Sequence, residues 1–116
     1  LKYENTTPPR SILVRKDFRL KPSIRRARVY VTGLGSYVLH INGKRVGKDV
    51  FTPGWTDYPR RIQYQTYDVT DLLRKGENAV GAVLGNMWWS SGLGWQKKGF
   101  YSHGPLRFLM QLVVEY

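Results

Sequence analysis

Apolar and polar residues alternate along this chain in short runs, with no stretch of helical periodicity of ordinary length. From Ser11 to Leu20 the apolar positions Ile12, Val14, Phe18 and Leu20 interleave with Arg15, Lys16 and Arg19. That two-residue period predicts a half-buried strand. Lys21 to Arg26 reads as a turn, after which Ala27, Val29 and Val31 alternate with Arg28 and Tyr30 in a second strand. A glycine-bearing connection, Thr32-Gly33-Leu34-Gly35-Ser36, leads to a third strand over Tyr37 to Ile41. Asn42-Gly43 follows at once, and Lys44 to Val46 returns from it. Asn-Gly between apolar-patterned runs marks a hairpin, because both residues tolerate positive φ.

The second half continues in the same manner. Pro53-Gly54 and Pro59 make residues 52–61 a loop, since proline cannot donate to a ladder. Ile62 to Tyr67 is the next expected strand. Asp68 to Leu73 reads as one helical turn, with Asp68 accepting its free N–H groups and Leu72 and Leu73 packing inward. Lys75 to Asn78 closes that turn. Ala79 to Leu84 is expected to be a central strand, apolar on both faces, and Leu106 to Glu115 the last strand. Short strands separated by turn signals, with almost no helix, predict an all-β sandwich. Residues 1–10, with Pro8-Pro9, read as an extended lead-in to a single domain over residues 11–116, and the strand pattern running to Glu115-Tyr116 suggests a fragment of a larger protein.

Composition narrows the classes. A chain of 116 residues, 41% hydrophobic and 14% aromatic, has the means for one core and little more. Its longest apolar run, Ala79 to Leu84, is far too short to span a membrane. No apolar signal-peptide core lies in LKYENTTPPR. Cysteine is absent, which excludes disulfides and thiolate metal sites. The net charge of +11 would suit phosphate, and Arg25, Arg26, Arg28, Arg60, Arg61, Lys97 and Lys98 are clustered. No nucleic-acid motif accompanies them, so the solvated faces of half-buried strands account for them better. A basic nucleic-acid-binding module is the disfavoured alternative.

ARVYVTGLGSYVLHINGKRVG, followed by FTPGWTDYPRRIQYQTYDVTDLLRKGENAVGAVLGNMWW, resembles the N-terminal β-sandwich domain of bacterial α-L-rhamnosidases. The resemblance covers nearly everything from Ser11 onward. It implies a jelly-roll sandwich of the galactose-binding-domain type, accompanying a separate (α/α)₆ catalytic barrel in the same parent chain. It implies carbohydrate as ligand, rhamnose-containing glycans first, and a bacterial parent enzyme, periplasmic or secreted. In some relatives a corresponding domain binds rhamnose with calcium. One departure stands out: relatives commonly read Gly-Asp-Gly-Trp-Tyr where this chain has Gly85-Asn86-Met87-Trp88-Trp89. The change removes a charged acceptor and adds bulk, and so counts against sugar or calcium at that loop.

Glycoside hydrolysis needs two carboxyl groups roughly 5–9.5 Å apart across one bond. Of the eight acids, Asp68, Asp71 and Glu77 are accounted for by turn capping, and Glu115 by a solvent-facing strand position. Asp57 alone, between Trp55 and Tyr58 in a proline-bounded loop, keeps the company of a polar ligand. A single acid is not a catalytic pair, so no catalytic residue is assigned. His40 and His103 are isolated, no dense Asp/Asn loop is present, and no metal site or cofactor follows, calcium resting on the resemblance alone. The aromatic loops remain. Sugar C–H faces pack on Trp and Tyr while adjacent polar groups fix the hydroxyls. Trp55, Asp57 and Tyr58 supply that mixture in one loop, and Asn86, Trp88, Trp89 and Trp95 in another. The competing expectation is that Trp88 and Trp89 close the core or pack against a catalytic domain, which the domain would then brace without binding sugar.

Overall fold

The computed structural model describes residues 10–91 and 104–116, so the expected lead-in lies, but for Arg10, outside the described residues. Among the described residues, seven strands form two antiparallel sheets. They are β1 (Ile12–Leu20), β2 (Arg26–Leu34), β3 (Ser36–Ile41), β4 (Lys44–Arg45), β5 (Gln65–Asp68), β6 (Gly76–Gly85) and β7 (Arg107–Glu115). One sheet runs β1-β6-β3-β4 and the other β5-β2-β7. This is the all-β sandwich expected from the alternation.

The two-residue period decides what each strand buries. Val29 and Val31 of β2, Leu39 and Ile41 of β3, and Ala82 and Leu84 of β6 meet between the sheets. Each bears on the facing sheet because successive strand side chains point to opposite faces. β6 is the expected central strand, apolar on both faces over Ala79 to Leu84. Ala79, Gly81 and Val83 face away from the core, and Val83 is 41% exposed, so this strand is apolar on both faces but buried on one.

Three boundaries also move, each for a pairing reason. β2 runs through Gly33 to Leu34 because β7 continues to pair with it there, leaving Gly35 alone to turn the chain. β6 begins at Gly76 rather than Ala79, since Arg19 and Leu20 pair with Glu77 and Gly76. β5 begins at Gln65, three residues late, because its partner β2 is met only from Val31 back to Arg28.

Polar side chains fix the turns. Asn42 (φ 50°) and Gly43 (φ 78°) form the expected hairpin turn. Asn42 donates to the Leu72 carbonyl and to Asn78 Oδ1, both at 2.8 Å, while its own Oδ1 accepts from the Ala79 amide. Buried Asn78 donates in turn to the carbonyls of Arg74 and Gly76 and accepts from the Arg74 amide. Asp68 Oδ1 accepts from the Thr70 amide at 3.0 Å and the Thr70 hydroxyl at 2.6 Å, at the entrance to a 3₁₀ turn over Thr70–Leu72. The expected capping role is therefore filled, and Leu72 and Leu73 pack against the core as anticipated.

Two glycines in left-handed backbone separate steric need from conformational need. A Cβ on Gly35 (φ 112°) would lie 2.3 Å from the Gly85 carbonyl oxygen and 2.7 Å from Leu106 Cδ2; one on Gly43 would meet nothing within 4 Å. We expect Gly43→Ala to cost about 1–2 kcal/mol, the left-handed penalty alone. Gly35→Ala should cost at least about 3 kcal/mol, because a backbone clash adds to the strain. Urea denaturation of both variants checks the order. The Thr70 hydroxyl and amide, and more weakly Arg26 and Arg28, hold the exposed Asp68 carboxyl below its ordinary pKa. A lowered folded-state pKa gives stability that is present above the unfolded value of about 3.9 and lost as pH falls through the folded one. Asp68→Asn should accordingly flatten the acid side of a denaturation-midpoint-against-pH curve below about pH 4.

Candidate functional site

At one end of the sandwich the chain leaves β6, crosses from β2 to β3, and passes the loop between β4 and β5. Thr52 anchors that loop to the start of β3: its carbonyl accepts from the Tyr37 amide at 3.1 Å and its hydroxyl donates to the Tyr37 carbonyl at 3.2 Å. The Thr52-Pro53 peptide is cis. Gln65 of β5 completes the anchor, donating to the Pro53 carbonyl and accepting from the Tyr37 hydroxyl at 2.6 Å. Burial pushes that hydroxyl's pKa up, so it stays a donor at neutral pH. Trp55 thus projects from a segment held at three points. Tyr37 and Gln65 read in the sequence as ordinary strand residues, and no local signal marked them as supports for the loop.

The strand β6 feeds a single helical turn, α1 (Met87–Ser90). Met87 has φ 42°, a left-handed value that favours glycine, and it occupies the position where the resemblance leads one to expect glycine. Methionine here carries backbone strain that glycine would not. Ser91 bonds back to the Met87 carbonyl and Ser90 Oγ donates to the Gly104 carbonyl at 2.7 Å, tying the turn down.

The two loops converge, and they do so in two pairs of rings. Trp55 and Trp88 stack with centroids 5.6 Å apart and planes 8° from parallel. Tyr58 and Trp89 meet edge to face at 5.3 Å and 87°. The pairs differ in burial. Tyr58 and Trp89 belong to the core, Trp89 only 9% exposed and donating from Nε1 to the Pro105 carbonyl at 3.1 Å. Trp88 is half-buried, whereas Trp55 is 57% exposed. The expectation that Trp89 closes the core therefore describes its place, and Tyr58 joins it there rather than lining a surface. Trp55 is thus an exposed indole stacked on a half-buried one.

Asp57 is exposed beside this pair in sequence. Its carboxylate lies 3.3 Å from Arg60 Nε, and its carbonyl accepts from the amides of Arg60 and Arg61 at 2.8 and 2.9 Å. The Thr56 hydroxyl bonds to the Arg61 carbonyl across the same turn. Asp57 is thus a turn residue whose side chain stays solvated, and an ion pair this exposed is worth little. Asn86 lies at the N-terminus of α1 without capping it through its side chain. Trp95 lies outside the described residues. The described residues offer no carboxylate cluster for a calcium ion. Among the described residues no three of His, Cys, Asp and Glu gather, and the Asp57 carboxylate already faces a guanidinium. No helix among the described residues is long and apolar enough to cross a membrane.

Residues 22–116 match the family model of the alpha-L-rhamnosidase N-terminal domain. An alpha-L-rhamnosidase of Streptomyces avermitilis is 47% identical over 104 residues, 89% of this chain and 10% of the relative. One from Formosa agariphila is 41% identical over 101 residues, 87% of this chain and 11% of the relative. The chain thus spans about a tenth of the length of the curated relatives it matches. Among solved structures, the native rhamnosidase of Aspergillus terreus superposes with a TM-score of 0.90 at 43% identity, over 96% of this chain and 13% of that one. The S. avermitilis enzyme complexed with L-rhamnose gives 0.84 at 46% identity, over 91% and 10%. On sequence and on fold together, this chain belongs to the alpha-L-rhamnosidase N-terminal domain family.

Proposed function

We propose that residues 11–116 form a non-catalytic accessory domain of a larger α-L-rhamnosidase-type glycoside hydrolase, and that it assists recognition of rhamnose-containing carbohydrate at Trp55. The exposed face of Trp55, held parallel to Trp88, carries this reading. A platform of two stacked rings on an anchored loop is ordered before a ligand arrives, so little conformational entropy is lost on binding. The C–H face of a 6-deoxy sugar suits it, and the exposed Asp57 and Arg60 in the same loop offer an acceptor and donors for hydroxyls. The crystallised S. avermitilis relative was complexed with L-rhamnose. Six of the seven described acids favour a non-catalytic part: Asp17, Asp57, Asp68, Glu77 and Glu115 lie in exposed ion pairs, and Asp49 accepts from the Tyr67 hydroxyl, while Asp71 sits in the first turn of the 3₁₀ segment.

A second reading has its own observation. Cross-strand register sets Leu13, Val83 and Val38 side by side on the outer face of the β1-β6-β3-β4 sheet, with exposures of 81%, 41% and 37%. An apolar row of this kind, beside a floor of Ala79 and Gly81, suits contact with a catalytic domain in a parent chain. In this reading the domain braces the barrel.

Titrating L-rhamnose while following tryptophan fluorescence separates the two. We expect a saturable change that Trp55→Ala abolishes; no saturable change, with or without calcium, leaves bracing. The same variants report on architecture. Trp89→Ala should cost about 3–5 kcal/mol in urea denaturation, as truncation of a buried aromatic does. Trp55→Ala should cost less than about 1 kcal/mol, as an exposed site does.

A further inference from the structure

Of the four asparagines in this chain, Asn42 alone precedes glycine; Asn5, Asn78 and Asn86 precede Thr6, Ala79 and Met87. Asparagine is chemically labile because the backbone nitrogen that follows it can attack its side-chain carbonyl carbon. A side chain on the following residue obstructs that approach, and glycine has none. Nothing else crowds the position: Gly43 is exposed, and a Cβ there would meet no atom within 4 Å. What holds Asn42 back is hydrogen bonding. Its Nδ2 donates to the Leu72 carbonyl and to Asn78 Oδ1 at 2.8 Å each, and its Oδ1 accepts from the Ala79 amide at 2.9 Å. The Asn42 backbone amide adds a bond to the Ala79 carbonyl at 2.8 Å. The group at risk is therefore the same side-chain amide that joins the hairpin, the 3₁₀ turn and β6.

We propose that Asn42 is a deamidation site governed by this corner, slow while the corner is closed and irreversible once it has reacted. The Gly43 nitrogen attacks Asn42 Cγ. The new N–C bond forms, the Cγ–Nδ2 bond breaks, and Nδ2 leaves as ammonia with the proton of the Gly43 amide. Water then opens the cyclic imide at either carbonyl, leaving an aspartate or an isoaspartate in place of Asn42. Because Nδ2 is the leaving group, its bonds to Leu72 and Asn78 must be lost, and ring closure takes Oδ1 from Ala79. Each such bond shifts opening about fivefold, so three of them slow the reaction about a hundredfold. The product cannot restore the corner. A carboxylate only accepts, and two of its three partners, the Leu72 carbonyl and Asn78 Oδ1, are acceptors as well. An isoaspartate also lengthens by one methylene the turn that sets β3 against β4. One opening event is thereby recorded as a permanent release of the segments that meet at Asn42.

Mass spectrometry of deamidation in warm, mildly alkaline buffer tests the proposal, on the 116-residue chain and on a peptide of residues 38–47 that cannot form the corner. Conversion at Asn42 is expected to be about a hundredfold slower in the chain than in the peptide. Hydrogen exchange of the Ala79 amide, which bonds to Asn42 Oδ1, measures opening of the same corner independently. Its protection should match the ratio of deamidation rates to within about threefold. Asn78→Ala removes one of the three bonds and should speed conversion at least about fivefold. Should that variant unfold, the comparison within the unaltered chain still decides. Asn42→Asp carries the charge of the product, and it should lower the urea midpoint and speed exchange at Ala79. Conversion as fast as in the peptide overturns the proposal, as does a rate unrelated to Ala79 protection. An unchanged midpoint in Asn42→Asp also overturns it, because the side-chain amide would then not be what holds the corner.

Discussion

The placement of β6 governs the molecule, and the paired amides of Asn42 and Asn78 secure it. β6 bonds to β1 on one side and β3 on the other, so an error in its register would turn both neighbours. Where it enters the sheet, three segments must meet: the β3–β4 hairpin, the 3₁₀ turn and the strand itself. Their carbonyls and amides would lack partners at a buried corner, and an unsatisfied buried group costs about 1–3 kcal/mol. Two asparagines, each offering a donor and an acceptor, answer that need together. Burial fixes the register of the alternating strands, but β6 is apolar on both faces over Ala79 to Leu84, so these bonds supply a constraint that burial leaves weak.

At the opposite end, the site depends on a backbone geometry of helical kind. Trp88 and Trp89 are neighbours in sequence, yet a single turn of helix sends them roughly 100° apart. One reaches the exposed Trp55 and the other the buried Tyr58. Had the chain continued as a strand, the two rings would have pointed to opposite faces, and one loop would not have joined both aromatic pairs. The strain at Met87 sits at the residue that begins this turn. Core closure and surface platform are therefore coupled outcomes of one short element.

Much of this was legible along the chain because the period of two carries directly into burial. Alternation alone separates Ala27, Val29 and Val31 from Arg28 and Tyr30, and Asn42-Gly43 announces its turn. Strand ends were less legible, since a partner's reach sets them: Gly33 looks like a turn residue, and only the pairing of β7 keeps it in β2. At the two aromatic loops, the sequence supplies the residue types but no way to sort them into core and surface. Trp55, Tyr58, Trp88 and Trp89 have similar local surroundings. Which rings are core and which are surface follows from a tertiary meeting of two loops separated by two strands. The supporting roles of Tyr37 and Gln65 were hidden for the same reason.

That sorting bears on how a family domain adapts. Tyr58 and Trp89 contribute to the core and carry a stability cost if lost, whereas the Trp55 ring adds little to folding and is free to serve a ligand or a neighbour. The same division holds across the sheets. Inward rows are closed to change by packing, but the outer row of Leu13, Val83 and Val38 has no folding requirement to be apolar. Apolar residues kept where folding does not need them mark surfaces whose partner lies outside this fold. By that criterion the outer sheet face stands apart from the end loops, where the exposed Trp55 ring lies on the half-buried Trp88.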